Sequence, residues 1–198
     1  MTVRATPPAD TASLEIRPIR PGDKEPLNRG FEQLSERSRY RRFLAPHGRL
    51  SSAELRYLTE VDHHDHEALV AVEPGTGRGV GVARYIRSTE DPTAAELAVA
   101  VIDDWQEQGV GTRLTAALAD RARHEGIKRF TALVLAENEL MLNLLDDLGR
   151  VRVVHTEKGT VELTIDLPER GLGRLPQLLR AIARGDLHAL ARGGRTSD

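Results

Sequence analysis

Apolar residues follow two different spacings along this chain. Stretches where they alternate with polar residues, or run together briefly, predict β-strands, and stretches where they recur every three or four positions predict α-helices. The predicted strands occupy residues 13–20, 67–73, 80–87, 94–102 and 128–136 and the two arms of 151–167. The predicted helices occupy residues 23–34, 35–44, 51–61, 112–126 and 138–149. The order β-α-α-α-β-β-β-α-β-α-β-β predicts one mixed α/β domain.

Local signals support several of these elements. Ser51 and Glu54 have the spacing of a capping box, which predicts a helix that begins after Ser51. Asn138 is a candidate N-cap for the last helix, and Gly149 is its candidate terminator. Residues 128–136 carry apolar side chains on both faces, which predicts a strand buried inside the sheet.

The two ends of the chain differ in character from the middle. Residues 1–12 are polar and proline-containing, which predicts a disordered lead-in. Residues 13–167 hold the strands and helices named above and are expected to form the folded domain. In residues 168–198, leucines at helical spacing stand among arginines, which predicts a C-terminal helical tail.

Composition narrows the possible partners and compartment. The chain has 198 residues, is 39% hydrophobic and 29% charged, and carries a formal net charge of −2, so no basic field favours nucleic acid or an anionic membrane. It contains no cysteine, which removes disulfides, thiolate metal sites and a cysteine nucleophile. No apolar run approaches the roughly 18 residues that cross a bilayer, and the N-terminus lacks an apolar signal core. We therefore expect a cytoplasmic protein.

The segment WQEQGVGTRL, residues 105–114, combines a glycine turn with the start of a predicted helix. The first amides of a helix have no acceptor within it, and the helix dipole adds partial positive charge there. Gly109 and Gly111 would let an anion approach these amides without interference from a Cβ atom. The segment therefore predicts a phosphate-binding loop.

The spacing of this loop distinguishes between families of phosphate sites. The dinucleotide pattern G-x-G-x-x-G fails because residue 114 is leucine, and the chain has no G-K-[ST] of a P-loop. Gln106, Gly109 and Gly111 match Q-x-x-G-x-G, which resembles the pyrophosphate-binding motif of the GNAT N-acetyltransferases. The predicted element order also resembles that family over about residues 13–167, as do Asn138 and Gly149 in their spacing.

This resemblance implies the GNAT acyl-CoA N-acyltransferase fold, a mixed α/β architecture with a mainly antiparallel sheet flanked by helices. It also implies acetyl-CoA as co-substrate and no metal. The backbone of Val99 and Val101 would pair with the pantetheine arm, and Asn138 would lie near the thiol. The pyrophosphate would be held by the backbone amides of Gln106, Glu107, Gln108, Gly109, Val110, Gly111 and Thr112.

Two further segments, residues 34–43 and 62–72, resemble the bacterial protein-lysine acetyltransferases of the Pat type. In that group a glutamate on the strand before the loop is catalytic, which implies Glu96 as the general base. Strand alternation places Glu96 on one face with small residues, which would leave room for a substrate. Glu90 and Asp91 are alternative bases in the preceding turn.

The general acid is not identified by this resemblance. The tyrosine that often protonates the departing thiolate in GNAT enzymes aligns with Leu145, which has no hydroxyl. Water or the protonated base could return the proton, or the thiolate could leave unassisted because a thiol is weakly acidic at neutral pH.

Two other segments suggest alternative chemistry that we consider unfavourable. His63, His64 and His66 lie close together, but successive residues of an extended chain point apart, so a polar helix-to-strand connection is expected rather than a metal site. Residues 37–43 interleave arginines with aromatics, yet the nearly balanced charge argues against nucleic acid. We expect the arginines to be solvated and Tyr40 and Phe43 to face the core.

The sequence thus predicts an acetyl-CoA-dependent N-acetyltransferase that acts on protein lysines. Two alternatives stay open: the same chemistry on a small amine, and a GNAT module that senses acyl-CoA without turnover. The sequence leaves the acceptor, the acyl preference and the oligomeric state undetermined.

Overall fold

The computed structural model describes residues 13–168. Seven strands form one sheet: β1 (Glu15–Pro18), β2 (His66–Val72), β3 (Gly79–Arg87), β4 (Ala94–Val101), β5 (Arg129–Leu135), β6 (Arg150–Glu157) and β7 (Thr160–Asp166). Five helices accompany them: α1 (Lys24–Glu32), α2 (Glu36–Phe43), α3 (Ser52–Thr59), α4 (Val110–His124) and α5 (Glu139–Leu148). This order confirms the predicted one. The predicted lead-in at residues 1–12, and all of the predicted tail except Pro168, lie outside the described residues.

The strands lie side by side in the order β1-β2-β3-β4-β5-β7-β6. Every neighbouring pair is antiparallel except β4 and β5, which run parallel. A parallel pair needs a crossover connection, and α4 provides it. One face of β2, β3 and β4 packs against α4 and the other lies beneath α1, α2 and α3, so the helices form two layers around the sheet. Within residues 13–168, no helix has the length and apolar character that crossing a bilayer requires.

The predicted helix signals act as expected. Ser51 Oγ accepts from Glu54 N, and the Glu54 carboxylate accepts from Ser51 N at 2.8 Å, so the capping box is present. Asn138 Oδ1 accepts from Met141 N at 3.4 Å and caps α5. These bonds satisfy amides that a helix N-terminus would otherwise leave without partners.

Strand β5 differs from the prediction that both its faces are buried. Its residues alternate between buried and more exposed positions, and Leu133 is 52% exposed. The pairing of β4 with β5 runs only from Ala94↔Arg129 to Glu96↔Thr131, so strand alternation places Leu133 on the same sheet face as Glu96. Beyond these residues the strands separate, and Leu133 lines the cleft that opens there.

Gly149 ends α5 at a point where two backbones come very close. A Cβ atom at this position would lie 2.2 Å from the carbonyl oxygen of Asp166 in β7. We expect Gly149→Ala to lower the free energy of unfolding by about 1–3 kcal/mol, because the sheet edge must move to admit the methyl group. Chemical denaturation measures this. Gly48→Ala, at a position with no atom within 4 Å of the added Cβ, is the control and should change stability by less than about 0.5 kcal/mol.

Candidate active site

A cleft opens where β4 and β5 separate. Both strands continue past their last paired residues, Glu96 and Thr131, β4 as far as Val101 and β5 as far as Leu135. The N-terminus of α4 and one side of α5 line the gap, and α2 contributes to it from the opposite face of the sheet. The cleft has a volume of about 440 Å³. Because the edge of β4 toward β5 carries no strand after Glu96, its backbone groups there can pair with an extended ligand.

The glycine loop forms one end of this cleft. Gly109 has φ = 81° and occupies the N-cap position of α4, a backbone conformation that glycine adopts without strain. The first backbone hydrogen bond of the helix runs from Arg113 N to Gly109 O at 3.0 Å. The amides of Val110, Gly111 and Thr112 therefore have no acceptor within the helix. The first turn also carries no acidic residue, so its positive potential is not neutralised there.

Gln106 fixes the start of the loop through its side chain. Its Nε2 donates to Val101 O at 3.0 Å, to Ser38 Oγ at 3.2 Å and to Asp103 Oδ1 at 3.2 Å. These bonds tie the end of β4, the loop and α2 together. Trp105, which precedes Gln106, is buried and packs in the core.

The residues predicted to bind the cofactor fall into two groups, according to whether they line the cleft. Most of them line the cleft: Val99, Val101, Gln106, Glu107, Gly109, Gly111, Thr112 and Asn138. Gln108 and Val110 do not line it. The Gln108 side chain turns back to donate to Asp104 O at 2.6 Å, and Val110 is buried in the core, so only their backbone amides can serve a ligand.

Glu96 lies exposed at the point where the cleft begins. The register pairs Ala98 with Arg84 and Glu96 with Ile86, which places Glu96, Ala98 and Ala100 on the sheet face beneath α2. Both alanines line the cleft and leave space beside the carboxylate. Glu96 thus combines exposure, an acceptor group and room for a substrate.

The alternative bases do not lie in the cleft. Asp91 accepts from Thr93 N and Thr93 Oγ1 and pairs with Arg129. The Thr93 hydroxyl, and then Arg129, lower the pKa of Asp91 to about 2, which makes it a poor proton acceptor. Glu90 lies in the same exposed turn. Leu145, the position where the family resemblance implies that a tyrosine is often found, is fully buried in the core.

Helix α2 contributes residues that sequence reasoning missed. Ser38, Arg41 and Arg42 all line the cleft, although we had expected the arginines of this segment to be solvated. Arg42 is only partly exposed, and burial lowers its pKa while the charge of Glu96 acts in the opposite direction. Tyr40, expected to face the core, is 45% exposed. The segment has no apolar periodicity strong enough to show which side of the helix faces the sheet.

The segment 62–67, expected to be a polar connection, also ends in a buried charged residue. Glu67 is completely buried in β2, and its carboxylate pairs with Arg121 Nη2 at 2.7 Å and lies 2.7 Å from His63 Nδ1. The described residues contain no group of three or more His, Asp or Glu side chains arranged to hold a metal. His66 begins β2, and its Nε2 accepts from Arg84 Nη1 at 3.1 Å.

His66 should make stability depend on pH. Burial, and then the charge of Arg84, lower the pKa of His66 to about 4, so the folded protein keeps it neutral where the unfolded chain, with a pKa near 6.5, takes up a proton. Stability from this residue is therefore full above about pH 6.5 and is lost as pH falls toward 4. Between pH 7 and pH 5 the loss should be about 2 kcal/mol.

Urea denaturation at pH 7 and pH 5 measures this effect, with His66→Gln as the comparison. Glutamine cannot take up a proton and keeps an acceptor for Arg84, so the variant should lose about 2 kcal/mol less than the unsubstituted chain over this interval. Equal losses in both proteins would show that His66 is not the group responsible.

Comparison with known proteins agrees with this geometry. Residues 31–149 match the acetyltransferase (GNAT) family. The chain is 38% identical to acetyltransferase Pat of Mycolicibacterium smegmatis over 153 residues, which cover 77% of this chain and 45% of that protein. The chain thus spans about half the length of this relative.

Two solved structures show the same fold. The GNAT domain of S. lividans PAT superposes with a TM-score of 0.72 at 35% identity, covering 78% of this chain and 90% of that domain. The Salmonella typhimurium protein yncA, solved with its cofactor acetyl-CoA, superposes with a TM-score of 0.64 at 18% identity over 80% of this chain and 96% of that one. From the family match and these likenesses, the chain belongs to the acetyltransferase (GNAT) family.

Proposed function

We propose that this chain transfers the acetyl group of acetyl-CoA to the side-chain amine of lysine residues in protein substrates. The observation that carries the proposal is the position of Glu96, which lines the same cleft as the glycine loop and the unpaired edge of β4. One cleft thereby combines an anion-binding helix terminus, a strand edge for an extended ligand and a proton acceptor.

In this proposal, the glycine loop and its neighbours bind acetyl-CoA. The amides at the start of α4 would bind the pyrophosphate, since they point out of the helix and carry the positive end of its dipole. The cationic side chains of Arg41 and Arg42 line the same cleft and add favourable charge for a polyanionic ligand. The edge of β4 at Val99 and Val101 would pair with the amide groups of the pantetheine arm. The acetyl-CoA bound to yncA supports this assignment by analogy of fold.

In this proposal, Glu96 acts as the general base for the lysine amine. A lysine amine with a pKa near 10.4 is protonated at neutral pH, so it must lose a proton before its nitrogen can attack a carbonyl carbon. The Glu96 carboxylate would accept that proton, directly or through one water. Attack forms the amide C–N bond and breaks the C–S bond of the thioester, and the sulfur leaves as thiolate or takes up a proton.

A protein acceptor is favoured by the Pat likeness, which extends beyond the common GNAT motifs. Identity to acetyltransferase Pat reaches 38% over 153 residues, which cover 77% of this chain. A small-amine acceptor and an acyl-CoA sensor are the alternatives that an experiment must separate.

Incubation of the purified chain with isotope-labelled acetyl-CoA and a cell lysate tests the proposal. Label on lysine side chains, located by mass spectrometry and strongly reduced with Glu96→Gln, is the expected result. Thiol release with label only on small amines would replace the protein acceptor with a small one. Thermal stabilisation by acetyl-CoA without any thiol release would instead indicate a sensor.

A further inference from the structure

A second cavity lies beside the cleft, between the sheet and helices α1, α2 and α3. It holds about 80 Å³ of open space, and its walls are mostly apolar, including Leu27, Phe31 and Val82. Arg42 and Phe43 line this cavity and also the cleft, so they form the boundary between the two. The proposed function of the cleft makes no use of this second space.

The unusual wall residue is Arg84, a buried charge for which residues 13–168 supply no counter-ion. It is 3% exposed, and its guanidinium donates to Leu58 O at 3.2 Å and to His66 Nε2 at 3.1 Å. Both acceptors are neutral, and in residues 13–168 no carboxylate lies within 4 Å of this guanidinium. Buried charges in proteins are normally paired, because an unpaired one loses its hydration without compensation.

Arg42 adds a second positive charge to the wall of this cavity. Its charge lies close enough to oppose that of Arg84, and burial together with this repulsion lowers the pKa of Arg84 to about 9. Arg84 therefore stays protonated at neutral pH. A guanidinium has five N–H donors, so Arg84 also keeps donors beyond the two bonds described. The other charged residues of the cavity wall, Arg17 and Asp23, pair with each other at 2.7 Å, so Arg42 and Arg84 leave an excess of positive charge beside mostly apolar walls. Such a wall is complementary to an anion with an apolar body.

We infer that this cavity binds a short organic carboxylate, whose charge is neutralised by Arg84 and Arg42 and whose hydrocarbon part contacts the apolar walls. A cavity of about 80 Å³ is several times larger than the roughly 10–15 Å³ that admits one water molecule, so it has room for a small organic anion. Planar guanidinium groups bind carboxylates through paired hydrogen bonds.

Such a carboxylate could come from two sources. It could be a free short-chain acid, or it could belong to an acceptor molecule whose amine then lies toward Glu96. Arg84 is directly opposite Ala98, two residues from Glu96 on the same sheet face, so both sources are compatible with the register. Binding itself does not depend on acetyl transfer and is measured without acetyl-CoA.

The test uses propionate as the probe, with propionamide as its neutral analogue and sodium chloride at equal ionic strength. We expect propionate to raise Tm in a saturable way, by about 2 °C or more, and to give a binding isotherm in calorimetry. Propionamide and chloride should give neither. A response to chloride equal to that of propionate would reduce the site to an adventitious anion site and overturn the inference.

Substitutions then locate the binding. Arg84→Met and Arg42→Met should each weaken propionate affinity at least tenfold, whereas Arg56→Met, at an exposed arginine on α3, should leave it unchanged. Arg42 is only partly buried, so its variant keeps the test valid if Arg84→Met fails to fold. Affinity equal to that of the unsubstituted chain in Arg42→Met and in a folded Arg84→Met would exclude this cavity.

β-Alanine, which carries an amine on the same three-carbon carboxylate, separates the two sources. Acetylation of β-alanine with a KM that rises at least tenfold in Arg84→Met would assign the carboxylate to an acceptor. Propionate binding without acetylation of β-alanine would assign it to a free acid. If propionate binds while no amine or protein is acetylated, the carboxylate site stands and the proposed transferase function fails.

Discussion

Glu96→Gln is expected to lower kcat for lysine acetylation by two to four orders of magnitude and to leave the Kd for acetyl-CoA within about twofold. Glutamine has nearly the shape of glutamate but cannot accept a proton from an amine at neutral pH. The loop and the β4 edge, which would hold the cofactor, are unchanged by the substitution. Steady-state kinetics with a lysine peptide, and calorimetry with acetyl-CoA, measure the two quantities separately.

The pH dependence of the variant adds a second readout. Residual activity of Glu96→Gln should increase as pH rises toward the pKa of the lysine amine, since the substrate then supplies its own neutral form. A variant that is inactive because its cleft has collapsed would not recover in this way.

Two other carboxylates provide controls. Glu90→Gln, in the exposed turn outside the cleft, should keep full activity. Asp147 on α5 also lines the cleft, and Asp147→Asn tests it as a competing base. Turnover lost in Asp147→Asn and retained in Glu96→Gln would remove Glu96 from the mechanism.

The order of strands and helices could be predicted because each element carries a local signal. The box of Ser51 and Glu54 and the cap of Asn138 act through bonds between residues three apart, which the sequence displays directly. The exposure of Leu133 could not be predicted in this way. It depends on what packs over that face of the sheet, which residues elsewhere in the chain determine.

The candidate site likewise contains features that local sequence predicts and features that only long-range packing produces. The loop and the face of Glu96 follow from glycine spacing and strand alternation, both of which are local. Arg42 and Arg84 reach one cavity from α2 and from β3, and only the packing of the helices on the sheet brings them together. The sequence predicts only that Gly149 ends a helix, whereas its close contact with Asp166 depends on a strand that follows later in the chain.

Gly111→Val is expected to weaken CoA binding about a hundredfold, equivalent to about 2.7 kcal/mol. A Cβ atom at Gly111 would lie 3.4 Å from Leu144 Cδ2 and 3.9 Å from Val101 Cγ2, which is ordinary contact, so the fold itself accepts alanine there. The two further methyl groups of valine would extend into the cleft that these side chains line, beside the amides at the start of α4. They would occupy ligand space and keep a phosphate from reaching those amides.

Two matched variants separate this effect from changes in helix stability. Ala116→Val places the same β-branched residue at an exposed position of α4, where its cost is a few tenths of a kcal/mol, and should bind CoA normally. Gly111→Ala should fold like the unsubstituted chain and lose less affinity than valine, because its single methyl group lies against Leu144. Calorimetry with CoA measures all three. CoA affinity in Gly111→Val equal to that in Ala116→Val would contradict the assignment of this loop to the cofactor, because the added methyl groups would then stand where no ligand lies.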